Sequence, residues 1–137
     1  MSNFNPTDIQ KANIKKDIQG EIDIFVACYK KLLEFGETRE SLECFLLHAR
    51  TLFDFLVTSE RYKHDVIATD FIQESIKLDD FPIEKERIDQ QLVHISYDRL
   101  EPRHANLFIS IDGIYKSIIN GLDEFNKKAS EEHRLVF

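Results

Sequence analysis

An all-α fold is predicted by three features of the sequence. Apolar residues recur at intervals of three and four over long stretches, β-branched residues nowhere alternate with polar ones, and only four Gly and three Pro occur in 137 residues. The expected architecture is an antiparallel helical bundle of four main helices plus a short helix, forming a single domain over residues 1–137.

The composition, 42% hydrophobic and 31% charged, suits a chain that buries one core without metal or disulfides. A formal net charge of -7 sets the surface against nucleic acid and acidic membranes, so DNA binding is not expected and RNA would have to be met by a local basic patch. No apolar run approaches about 18 residues, and the N-terminus carries neither a basic nor an apolar targeting region. A cytoplasmic location without membrane association is the expectation. Cys28 and Cys44 lie in helix-patterned apolar surroundings and lack metal-ligand spacing, which predicts buried free thiols.

The first helix is expected to start with Asn5 as N-cap and Pro6 at the first helical position. Its apolar stripe runs through Ile18, Ile22, Phe25, Tyr29 and Leu32, with Ile14, Val26 and Leu33 beside it, and ends at Phe35-Gly36. Lys11, Lys15 and Lys16 make a small solvated basic face. Thr38 caps a second helix reaching to about Val57, antiparallel to the first across a very short linker. Its buried side holds Leu42, Phe45, Leu46, Ala49, Phe53 and Leu56, with Glu43, Arg50 and Asp54 on one flank and His48 and Phe55 on the other.

Periodicity lapses from Thr58 to Phe81, where Val66-Ile67 can tuck inward and Asp70 to Ile76 can make the short helix. Arg61, Lys63 and His64 give this long connection positive charge. Pro82 suits the first turn of a third helix ending near Leu100, because Pro102 disfavours helix at Glu101. A fourth helix opens at Arg103 and His104 and keeps its period through Leu107, Ile111, Ile114, Ile118, Leu122 and Phe125 to about Lys128, with Gly113 and Gly121 as weak points. The tail from Ala129 is charged until Leu135-Val136-Phe137, whose apolar end can dock or fray.

Chemistry and periodicity coincide in the third helix. Ile88, Leu92 and Ile95 share an apolar face there, while Arg87, Gln91, His94 and Asp98 form a polar stripe along its flank. Arg87 and His94 are two turns apart, roughly 10 Å along the axis, so both can reach one phosphate-sized group. Asp98 can orient the imidazole. Metal chemistry finds little support: Glu101-Pro-Arg-His104 has a carboxylate-histidine spacing but spans a helix break, and His48, His64, His94 and His104 include no pair one turn apart. No metal and no cofactor are expected.

The strings Leu47-His48-Ala49-Arg50-Thr51-Leu52-Phe53-Asp54-Phe55-Leu56, Asp65-Val66 with Asp70-Phe71, and Arg87-x6-His94-Ile95-Ser96-Tyr97-x-Arg99 together resemble small bacterial proteins of the HEPN superfamily. The resemblance implies a helical bundle and a homodimer. In members that are nucleases it implies metal-independent RNA cleavage at a site shared by two protomers. On that reading His94 and Arg87 are the catalytic pair, with Arg50, Asp98, Tyr97 and Arg99 in support. His94 would move a proton while Arg87 neutralises charge on the phosphoryl oxygens. Ile88 stands where active members usually carry a polar residue, and other members are silent binding or dimerisation modules. That departure and the acidic charge favour a non-catalytic dimerisation or partner-binding protein, with a toxin- or defence-type ribonuclease as the alternative.

Overall fold

The computed structural model describes residues 3–82 and 110–137. The expected third helix and the expected opening of the fourth lie outside those residues. Among the described residues there are three α-helices, α1 (Asp8–Phe35), α2 (Arg39–Val57) and α3 (Ile111–Lys128), two 3-10 turns at Ala68–Asp70 and Glu131–His133, and no strand. None of these helices is long and apolar enough to cross a membrane.

Helix α1 begins at Asp8, two residues later than a cap at Asn5 implies, because Thr7 and Gln10 form a capping box. The Thr7 hydroxyl accepts from the Gln10 N–H at 3.1 Å and the Gln10 side chain accepts from the Thr7 N–H at 2.9 Å, which satisfies two donors that a helix start leaves open. Ile18, Ile22, Phe25, Cys28 and Leu32 are buried along one stripe. Leu33 is 64% exposed, since one residue beyond Leu32 is a turn of about 100° off that stripe. Gly36 ends the helix at φ 82, a conformation that favours glycine, and its N–H closes on the Leu32 carbonyl at 3.0 Å.

Thr38 caps α2 by accepting from the Ser41 N–H at 3.1 Å, and the helix ends at Val57. It packs antiparallel to α1 with Phe25 and Phe45 stacked at 5.0 Å. Phe55 is in the core rather than on a polar flank, because the connection returns Phe71 to it at 6.3 Å and α3 brings Phe125 to 5.5 Å.

Helix α3 starts at Ile111, where Ser110 has extended backbone and its hydroxyl caps the Gly113 N–H at 3.1 Å. Ile114, Ile118, Leu122 and Phe125 close the core against α1 and α2. Tyr115 stacks on Tyr29 at 3.7 Å, and the Tyr29 hydroxyl donates to Asp112 at 2.6 Å. That bond, more than burial, pushes the Tyr29 phenol up to about 12.

The tail docks. Asn126 exchanges two hydrogen bonds with the Leu135 backbone (2.7 and 2.8 Å), and Gln19 does the same with Val136 (2.6 and 2.9 Å). Lys15 is a tether rather than a merely solvated cation, since its ammonium donates to the Glu132 carbonyl at 2.7 Å. These polar bonds seat Leu135 in the core.

Two glycines have opposite roles. A Cβ at Gly121 would sit 2.9 Å from Leu78 Cδ2 and 3.0 Å from Leu56 Cδ1, whereas one at Gly20 would meet nothing within 4 Å. Gly20→Ala is therefore expected to stabilise the protein by about 0.5–1 kcal/mol through helix propensity. Gly121→Ala is expected to destabilise it by about 1–3 kcal/mol through overpacking. Urea melts of the two variants check both signs, and a stabilised Gly121→Ala would contradict the close approach.

Candidate functional site

The connection from Thr58 to Pro82 is organised by one ion pair. The Arg61 guanidinium meets the Asp70 carboxylate through both terminal nitrogens, Nη1 lying 3.0 Å from Oδ2 and Nη2 bonding Oδ1, and the two side chains are 9% and 7% exposed. Arg61 also donates to the Asp65 carbonyl at 2.5 Å, and Asp70 accepts from the Ile67 N–H at 3.2 Å. Hydrogen bonding to Asp70 raises the Arg61 pKa further above its ordinary value. With Asp70 turned back onto Ile67 and Arg61, residues 68–70 form a 3-10 turn, and the α-helix expected from Asp70 to Ile76 does not form.

Apolar residues complete the docking. Ile67, Ala68, Ile72 and Ile76 are buried, and the Ile76 N–H donates to the Leu56 carbonyl at 2.8 Å. From the N-terminal side, Phe4 places its ring 5.4 Å from the Arg61 guanidinium and 4.7 Å from the His64 ring. A recess of about 290 Å³ lies between this N-terminal segment, α1 and the connection.

A larger cleft of about 660 Å³ opens where α1, α2 and the connection meet. Its apolar lining includes Ile14, Ile18, Phe55, Val66 and Ile67. Its charged lining is Asp17 and Glu21 from α1, Arg50 and Asp54 from α2, and Asp65 from the connection. Tyr62, 68% exposed, stands among the lining residues. Glu21 is fixed across the helix pair by His48, whose Nδ1 lies 2.5 Å from its Oε2. Among the described lining residues carboxylates outnumber the one guanidinium four to one, so this part of the lining presents negative charge over an apolar floor.

Of the residues that the sequence singles out for a site, Arg50 is half-buried and lines this cleft. Arg87, His94, Tyr97, Asp98 and Arg99 lie outside the described residues. Asp17, Glu21 and Asp65 are not among the residues the sequence marks for a site. The i, i+4 spacing of Asp17 and Glu21 was available as a signal of one acidic flank, whereas Asp65 reaches the cleft only through the fold of the connection. Of the cations of the connection, Arg61 is neutralised by Asp70, and the Lys63 ammonium lies 5.2 Å from the centroid of the Tyr62 ring.

Burial, and then hydrogen bonding with Cys44, pushes the Cys28 thiol up to about 12, so it is protonated and unreactive at neutral pH. No group of three or more His, Cys, Asp or Glu among these residues is placed to hold a metal ion. Comparison with models of known protein families, with curated protein sequences and with solved structures gives no match.

The ion pair yields a direct prediction. Asp70→Asn leaves the buried Arg61 charge without its counter-ion and is expected to destabilise the protein by about 3–5 kcal/mol, read from urea unfolding. A loss below about 0.5 kcal/mol, the usual size for a surface change, would contradict its central position.

Proposed function

We propose that the protein is a HEPN-like helical module that works by binding, as a homodimer or with a partner protein, and not as a catalyst. One observation carries this reading. The cleft around Arg50 sets four carboxylates against one guanidinium among its described lining residues, and such a site repels the phosphates of RNA. The net charge of -7 acts in the same direction. The antiparallel pair of long helices, with the Leu47 to Leu56 string on the second, supports the HEPN-like assignment.

A second reading is favoured by the spacing of Arg87 and His94. It is a metal-independent ribonuclease of toxin or defence type, in which His94 carries the proton, Arg87 neutralises the phosphoryl oxygens, and Arg50, Tyr97, Asp98 and Arg99 position them. General acid or base catalysis by one side chain contributes about 100-fold to 10,000-fold, so its loss is unmistakable.

Incubation of the purified protein with RNA in EDTA separates the two. The binding module leaves the RNA intact and sediments as a dimer at micromolar concentration or elutes with its partner. Cleavage that His94→Ala abolishes, with thermal stability unchanged, would replace this reading by the nuclease.

A further inference from the structure

We propose that the cleft between α1, α2 and the connection receives a basic side chain, Lys or Arg, carried by a segment of a partner protein. This rests on the binding-module reading above and names the chemistry of the partner. A long basic side chain joins an apolar stem to a cationic head, and it is best held where apolar wall and carboxylate rim occur together. The described lining has that composition: Ile18, Phe55 and Val66 line it alongside Asp17, Asp54 and Asp65, with Glu21 held by His48 and Arg50 the one guanidinium.

The carboxylates come from three separate elements, so the fold brings together negative charge that is dispersed in the sequence. Tyr62, 68% exposed, stands at the cleft with the Lys63 ammonium 5.2 Å from its ring centroid, so the lining already holds one cation against an aromatic face. A volume of about 660 Å³ is within the usual range for ligand sites and is enough for one or two extended side chains. Charge complementarity selects the occupant. A second copy of this chain brings a net charge of -7 to an already acidic cleft, and RNA brings phosphates, so both are opposed where a basic segment is attracted.

The test uses the full chain and fluorescence anisotropy with a labelled peptide of alternating Lys and Leu, against a Glu and Leu peptide of the same length. Asp17 and Asp65 are exposed, so Asp17→Asn with Asp65→Asn removes cleft charge at little structural cost. Glu34→Gln with Glu37→Gln removes the same charge at and just beyond the other end of α1, Glu34 lying about 20 Å from Glu21 at about 1.5 Å per residue. The basic peptide is expected to bind the wild type, with affinity falling as salt rises. The cleft variant is expected to weaken it by about three- to tenfold, and the distant variant by less than about twofold. Peptide addition is also expected to shift the amide resonances of Tyr62, Val66 and Ile67 in the wild type, a readout that does not depend on the variants folding. Equal weakening by both variants, equal binding of the acidic peptide, or shifts that avoid these amides would overturn the proposal. RNA cleavage in EDTA would sink the module reading itself, whereas a protein that leaves RNA intact and ignores the basic peptide loses only this partner.

Discussion

The cleft depends on the pairing of Arg61 with Asp70. The segment that carries them has no regular helix long enough to stiffen it, yet it forms one wall of the cleft and places Ile67, Ala68, Ile72 and Ile76 in the core. Taking two charges out of water is costly, and the cost is offset only where the geometry is good and the remaining hydrogen-bonding capacity is used. Both conditions are met. The guanidinium and carboxylate meet through two bonds, the Asp65 carbonyl takes a further Arg61 N–H, and the Ile67 amide takes a further Asp70 lone pair.

The same pairing changes the electrostatic meaning of the connection. Read as a string, Arg61, Lys63 and His64 give the connection positive charge. Folded, the Arg61 charge is cancelled by Asp70, His64 rests against Phe4, and the segment contributes Asp65 to an acidic cleft. Arg50 thus sits among carboxylates, an environment more compatible with holding a cation near the cleft than with drawing in phosphate. That contrast underlies the preference for a binding module.

The helices were largely legible in the sequence, because their signals are local. Thr38 as a cap, Gly36 as a stop, Val57 as the end of α2 and the inward stripe of α1 all follow from spacing within a few residues. Structure departs from local spacing where a non-local partner decides the outcome. Phe55 looked like a flank residue until Phe71 and Phe125 covered it, and Gly121 looked like a weakness until Leu56 and Leu78 approached it. At the start of α1, the Thr7 and Gln10 capping box outcompeted Asn5 and Pro6. Of the site, only Arg50 was legible among the described residues. Arg61 and Asp70 are nine residues apart, which matches no helical repeat, and Asp65 joins Asp17 and Glu21 only in three dimensions.

Native-state hydrogen exchange reads directly whether the buried ion pair makes the connection a fixed wall of the cleft. The amides of Ile67, Asp70, Phe71, Ile72 and Ile76 all donate within the fold, to Asp70, Ile67, Ala68, Ala68 and Leu56 respectively. These amides are expected to exchange only through large-scale unfolding, with protection comparable to that of core residues of α2 such as Leu52 and Leu56. Exchange at the rate of an open loop, while α2 stays protected, would contradict it.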